Sequence, residues 1–163
     1  MINVRILVIG SGGREHAIVW KLLQSPLVEE IYCAPGNPGI GQIAKLVDIE
    51  IDNIEKLVEF SREIKIDLTI VGPEVPLVSG IVDCYRKEGL NIVGPSRQAA
   101  ELEGSKSYSK DFMKKYGIPT AESHEVSSFG EGLLALEVYS YPVVIKADGL
   151  AAGKGVVICG DKG

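Results

Sequence analysis

Arg5-Ile6-Leu7-Val8-Ile9-Gly10-Ser11-Gly12-Gly13-Arg14-Glu15-His16 is the stretch that decides the fold. Its apolar run, Ile6 to Ile9, has no polar alternation and reads as a strand buried on both faces, as in a parallel sheet. Gly10, Gly12 and Gly13 break the strand. From Arg14 to Gln24 the apolar residues Ala17, Ile18, Trp20, Leu22 and Leu23 then recur at roughly helical spacing. Glycines permit a tight turn and close backbone approach, and a helix start turns free N–H groups toward a bound phosphate.

The same alternation repeats outward from this stretch. Residues 31–34 read as a second strand, ended by the turn Pro35-Gly36-Asn37-Pro38-Gly39. Residues 47–51 read as a third strand and 54–64 as an amphipathic helix. Asp67-Leu68-Thr69-Ile70-Val71 is a strand stopped by Gly72-Pro73. Pro76 suits the first turn of a helix running to Lys87, and Asn91-Ile92-Val93 is a strand ended by Gly94-Pro95. Strands and helices alternating in this way predict an α/β fold, a Rossmann-like parallel sheet over residues 1–100 with helices on both faces.

After about Arg97 the rhythm changes. Residues 105–116 predict a helix, 121–126 a strand, 129–139 a helix, and Val143-Val144-Ile145-Lys146 a strand. A glycine-rich loop over 148–155 then leads into Val156-Val157-Ile158-Cys159. Residues 101–163 therefore read as the start of a further domain, because a strand pair of this size is marginal alone.

Composition narrows the classes. The chain has 163 residues, 45% hydrophobic and 24% charged, which suits a globular protein with a core and excludes a disordered one. Its 17 basic and 22 acidic residues give a net charge of −5, so no general affinity for nucleic acid follows. Any anionic substrate must be held by local features. Cys33, Cys84 and Cys159 are far apart, odd in number and outside any CxxC or Cys/His cluster. They read as reduced, mostly buried thiols, with neither a disulfide framework nor a zinc site. The amino terminus lacks a signal-peptide pattern, and no apolar run approaches the ~20 residues of a membrane span. A cytoplasmic location is the expectation.

Three features carry chemistry. The loop at Gly10 to Arg14 departs from a dinucleotide fingerprint twice. Glu15 holds the third glycine position, and Ala34-Pro35-Gly36 stands where an acidic residue would contact a ribose. A mononucleotide-type or sugar-phosphate site fits better than NAD, and a purely structural turn is the plain alternative. The second feature is the set of turns Pro35-Gly36-Asn37, Gly72-Pro73-Glu74 and Gly94-Pro95-Ser96, all at the carboxyl ends of strands, where open parallel sheets bind ligands. Glu74 could accept hydrogen bonds from ribose hydroxyls or a substrate amine. The third is Lys146-Ala147-Asp148-Gly149-Leu150-Ala151-Ala152-Gly153-Lys154-Gly155. It fails the Walker A pattern, because its glycine comes one residue early and Gly155 stands where Ser or Thr would hold magnesium. A flap between antiparallel strands with a lysine on each side suits a lid over ATP phosphates; a structural hairpin is the alternative. Lys106 begins a helix and by itself reads as a surface lysine. His16 and His124 read as structural or peripheral.

Together the stretches around Gly10 to Ala17, Ala34 to Asn37, Asp67 to Glu74, Leu102 to Lys106 and Val144 to Val156 resemble the phosphoribosylamine–glycine ligase (glycinamide ribonucleotide synthetase) family of the ATP-grasp superfamily. The resemblance implies a ligase that joins glycine to 5-phosphoribosylamine in purine synthesis, through an acyl phosphate, with ATP converted to ADP and phosphate. It implies phosphoribosylamine contacts at Gly12, Gly13, Arg14, Glu15, Pro35, Gly36, Asn37, Pro73 and Glu74. It implies ATP contacts at Lys106, Lys146, Gly149, Gly153, Lys154 and Gly155. Mg2+ or Mn2+ would be held outside this chain, as would most catalytic groups, since the family is longer. Small molecules (phosphoribosylamine, glycine and ATP) are the expected partners of a monomer, with no nucleic acid and no membrane, and this chain alone is expected to be inactive. Another ATP-grasp ligase or carboxylase, an NAD-dependent oxidoreductase, and a non-catalytic sugar-phosphate-binding module are the alternatives.

Overall fold

The computed structural model describes residues 3–151 and 153–161. The chain divides into two compact units, Met1–Ala100 and Glu101–Gly163. The first holds five strands, β1 (Val4–Gly10), β2 (Val28–Pro35), β3 (Lys45–Leu46), β4 (Leu68–Val71) and β5 (Ile92–Val93). All pair in parallel, in the order β3-β2-β1-β4-β5. The helices are α1 (Gly13–Leu22), α2 (Ile54–Glu63), α3 (Glu74–Val78), α4 (Ile81–Lys87) and α5 (Arg97–Gly104), with a 3-10 turn at Ile40–Gln42.

β1 dictates this arrangement. Ile6, Leu7, Val8 and Ile9 are all at most 3% exposed. Successive side chains of a strand point to opposite faces, so four consecutive buried residues require a covering layer on each. Ile6 and Val8 pack with Val19 of α1 and with Ile31, Cys33 and Ile40. Leu7 and Ile9 pack with Leu57 and Val58 of α2 and with Ile81, Val82 and Tyr85 of α4. Each such side chain contributes about 1.5–3 kcal/mol by burial. The one hydroxyl-bearing ring among them is satisfied: Tyr85 donates to the Leu57 carbonyl at 3.0 Å and meets Ser61 Oγ at 2.9 Å.

Several elements differ from the sequence reading. On α1, Trp20 is 59% exposed while Val19 is fully buried. The face turned to the sheet runs Glu15, Ile18, Val19, Leu22, the i, i+3, i+4, i+7 set, and Trp20 lies to one side of it. Residues 47–51 do not form the third strand. Only Lys45 and Leu46 pair with β2 as a strand; Val47 N still donates to the Cys33 carbonyl at 2.9 Å, and Val47, Ile49 and Ile51 pack against the core. Their alternation with Asp48 and Glu50 imitates a strand. The helix expected through Lys87 is two helices, because Gly80 adopts φ +90 between α3 and α4.

The second unit contains α6 (Lys106–Lys115), α7 (Phe129–Leu136), and an antiparallel pair of β6 (Val143–Lys146) with β7 (Val156–Cys159). Ser105 and Ser128 cap α6 and α7 by accepting from Tyr108 N and Glu131 N. Residues 121–126 form no strand. α5 was not expected, although Ser96 accepts from Ala99 N at 3.3 Å and is followed by the helix-favouring run Arg97 to Glu103. None of the described residues beyond Ala100 is buried, and Phe129, Leu134, Val138 and Ile158 are each more than 60% exposed.

The reassigned face of α1 gives a direct test. Val19→Ala should lower the stability of the chain by about 1–3 kcal/mol, through lost burial and the cavity left behind. Trp20→Ala should cost less than half as much. Urea unfolding of both variants measures the difference, and the reverse order would contradict the assigned face.

Candidate functional site

In the first unit the chain leaves β1 toward α1 on one face of the sheet and leaves β4 toward α3 and α4 on the other. The strand order reverses here, so the loops diverge at the carboxyl ends of β1 and β4 and open a crevice between them. Three loops border this end of the sheet: residues 10–13 after β1, 36–39 after β2, and 72–73 after β4.

Side-chain and backbone hydrogen bonds tie the loops together. Arg14 Nη1 donates to the Gly72 carbonyl at 2.5 Å, and Nη2 reaches Glu74 Oε1 at 3.4 Å. Asn37 Nδ2 donates to the Ser11 carbonyl at 2.8 Å, while its Oδ1 accepts from Ile40 N at 2.9 Å. Gly36 N donates to the Gly10 carbonyl at 3.1 Å. Gly10 and Gly36 adopt φ +127 and +72, which favour residues without a Cβ. Arg14, Asn37 and Glu74 are thus brought to one end of the sheet, with Gly12, Gly13, Pro35, Gly36 and Pro73 supplying backbone around them.

Glu15 differs from its neighbours. It is 5% exposed, and its Oε2 accepts from Gly12 N at 2.6 Å. The carboxylate thus faces the loop from within, whereas Gly12, Gly13 and Arg14 are exposed. The helix amino terminus has no capping side chain at Gly12; Glu15 takes the Gly12 amide, and the amides at the start of α1 belong to Gly13 and Arg14, both exposed. Exposed amides at a helix start with an arginine beside them favour an anion.

In the second unit the loop between β6 and β7 is held to the start of α6. Asp148 Oδ1 accepts from Lys106 N at 2.6 Å and Ser107 N at 3.3 Å, and its Oδ2 accepts from Ser105 Oγ at 3.1 Å. Lys106 Nζ donates to the Gly149 carbonyl at 2.8 Å. Burial acts to raise the Asp148 carboxyl, but the amides of Gly149, Lys106 and Ser107 with the Ser105 hydroxyl outweigh it and hold the group below its usual range. Gly149, Gly153 and Gly155 adopt φ +81, +77 and +69, a backbone that residues bearing a Cβ rarely take. Lys146 ends β6 opposite Val156, and both it and Lys154 are exposed. Among the described residues neither makes an ion pair. Lys106, Lys146 and Lys154 therefore set positive charge around the glycine-rich loop, with Lys106 already bonded to it.

Two contributors were not singled out from the sequence as site residues. Gly72 offers its carbonyl to Arg14, and Asp148 fixes the glycine-rich loop. A short carboxylate beside Gly149, together with Ser105-Lys106 at a helix start, was the available signal for the second; the first depends on a contact across 58 residues. Cys33 is buried beneath the first loop, its thiol donating to the Gly10 carbonyl at 3.4 Å. Burial first, and the Glu15 charge second, push it up to about 12, so it stays protonated. Cys84 is exposed, contrary to the expectation of mostly buried thiols. His16 borders Gly39, and His124 Nδ1 pairs with the Tyr139 hydroxyl at 2.7 Å.

Comparison with known proteins matches residues 4–103 to the phosphoribosylglycinamide synthetase N domain and residues 104–163 to the ATP-grasp (A) domain of the same synthetase. Phosphoribosylamine–glycine ligase of Clostridium acetobutylicum is 56% identical over 158 residues, covering 97% of this chain and 38% of that protein. The crystal structure of phosphoribosylamine–glycine ligase from Thermotoga maritima superposes with a TM-score of 0.77 at 35% identity, covering 97% of this chain and 36% of that one. The biotin carboxylase domain of Hydrogenobacter thermophilus 2-oxoglutarate carboxylase shares the fold, with a TM-score of 0.75 at 21% identity over 96% of this chain and 37% of that one. The chain thus spans under two-fifths of the length of these relatives.

The Asp148 contacts carry a signed expectation. A carboxyl lowered in the folded state stabilises above its unfolded value, about pH 4, and the contribution is lost as pH falls through the folded value. Exchange protection of the Lys106 and Ser107 amides should therefore be full at neutral pH and decline below about pH 4. Asp148→Ala should weaken it at neutral pH and abolish its dependence on pH in that range. Equal protection in both proteins at neutral pH would remove Asp148 as the tether.

Proposed function

We propose that this chain, which belongs to the phosphoribosylglycinamide synthetase family, supplies the phosphosugar site and part of the ATP site of a ligase that joins glycine to 5-phosphoribosylamine. The observation that carries this reading is the convergence of Gly13, Arg14, Asn37 and Glu74 at the carboxyl end of a reversing parallel sheet. Phosphoribosylamine presents one phosphate, ribose hydroxyls and an amine. The open amides of α1 and the Arg14 guanidinium suit the phosphate, and the Glu74 carboxylate suits a hydroxyl or the amine.

The second unit supports the ATP half. Phosphoryl transfer is catalysed mainly by positioning and by cations that neutralise developing charge. Lys106, Lys146 and Lys154, with a backbone freed by Gly149, Gly153 and Gly155, suit that work. The glycine carboxylate oxygen takes the terminal phosphoryl group of ATP, releasing ADP. The phosphoribosylamine nitrogen then attacks the glycyl carbonyl, phosphate leaves with the former carboxylate oxygen, and the amine loses a proton. Mg2+ or Mn2+ would accompany ATP, and the cations that this chain sets around the glycine-rich loop are Lys106, Lys146 and Lys154. We place the protein in the cytoplasm as a monomer. No helix of the described residues is long and apolar enough to cross a membrane.

The test uses the whole protein. ATP hydrolysis should require both glycine and phosphoribosylamine, and Lys146→Ala should lower kcat/KM for ATP by about 10²–10³, the size of effect expected for one lost charge-stabilising donor. Hydrolysis indifferent to phosphoribosylamine would overturn the reading, and an unchanged rate in the variant would take Lys146 out of the site.

A further inference from the structure

Glu15 occupies the third position of the glycine pattern, where a dinucleotide-binding loop has a glycine so that helix and strand can approach. Here the room is made on the opposite side. A Cβ on Gly72 would overlap the Glu15 carboxylate, and a Cβ on Gly10 would come within 2.7 Å of Glu15 Cγ and Cδ. Glu15 therefore lies in the gap that two glycines leave at the ends of β1 and β4. Arg14, its neighbour in sequence, holds the same Gly72 through the carbonyl at 2.5 Å.

A buried carboxylate is costly, and an apolar side chain of equal length would fill the gap with no charge to desolvate. What the carboxylate adds is an acceptor for Gly12 N, at 2.6 Å, which orients the loop. We propose that Glu15 is a positioning residue that sets both the spacing and the orientation of the phosphosugar loops, acting through Gly12 and Gly72 and not through contact with substrate. This rests on the reading of the crevice as the phosphoribosylamine site. Adjacent residues then divide the work: Arg14 faces the ligand side and Glu15 faces inward. The loop that carries Glu74 is clamped between them and the end of β4.

Volume and acceptor can be separated by substitution in the whole protein. Glu15→Gln keeps both and should leave KM for phosphoribosylamine within threefold of the parent. Glu15→Met keeps the volume but loses the acceptor, and should raise that KM at least tenfold while KM for ATP and glycine stays within twofold. Gly72 has no left-handed backbone, so Gly72→Ala tests space alone. It should raise the same KM and lower the melting temperature, and Glu15→Ala in that background should restore part of the melting temperature but not the KM, because it also removes the acceptor. Glu15→Met indistinguishable from the parent, a matching rise in KM for ATP, or a lowered Gly72→Ala melting temperature unrelieved by Glu15→Ala would each overturn the proposal. Should Glu15→Met fail to fold, the Gly72/Glu15 pair decides. A parent protein whose ATP use ignores phosphoribosylamine would instead defeat the functional reading. The melting temperatures of Gly72→Ala and the double variant would then still test the packing, with recovery in the double variant expected and its absence fatal.

Discussion

Burial of β1 on both faces is the constraint on which the rest of the first unit depends. Ile6 and Val8 demand a layer on one side of the sheet, Leu7 and Ile9 a layer on the other, and β2 and β4 flank the strand so that its backbone groups are paired. The chain meets these demands in sequence order. It first builds β2 and β3 to one side, with α1 on one face, then returns with α2 on the opposite face to place β4 and β5. The reversal creates the crevice. The crevice at this end of the sheet is a by-product of covering a strand that has no polar face.

The loops at the crevice solve a local problem of close approach. Gly10, Gly36 and Gly72 bring three backbones within reach of side chains from their neighbours, and Arg14, Glu15 and Asn37 use that reach to cross-link them. An overall charge of −5 does nothing for a phosphate. In the proposed phosphosugar site the local arrangement would favour one, because the amides at the start of α1 and the guanidinium beside them act within a few ångströms, where the net charge of the molecule matters little. The buried Cys33 thiol beneath the first loop belongs to this packing: neutral, and bonded to the Gly10 carbonyl.

The second unit follows a different logic. Its described residues carry no buried core, and its order comes from caps and tethers: Ser105 and Ser128 at the helix starts, and Asp148 joining the glycine-rich loop to α6. The loop is held by side chains at its first residues and closed by the Ala147 N to Gly155 carbonyl bond at 2.8 Å, with left-handed glycines at Gly149, Gly153 and Gly155. That is a suitable construction for a flap over phosphates. The relatives that share this chain's family are more than twice as long, and residues 104–163 match their ATP-grasp (A) domain.

Much of this was legible in the residues. The unbroken apolar run of β1, the glycines after it and the regular alternation to Val93 determined a parallel α/β sheet. The order of motifs pointed to the family, and Arg14, Asn37 and Glu74 were marked as site residues. Local pattern erred where packing had the last word. Trp20 looked like core because it is large and apolar, but helical geometry turns Val19 inward; residues 47–51 alternate like a strand, but only Lys45 and Leu46 pair. The family resemblance implies a substrate contact at Glu15; its burial against Gly10 and Gly72 was not legible in the motif. The sequence by itself determined which residues must leave water and where the chain must turn, because hydrophobicity and backbone freedom are properties of single residues. Which side chain fills which gap was decided only by the tertiary structure, because Glu15 and Gly72 are 57 positions apart and meet only when β1 and β4 lie side by side.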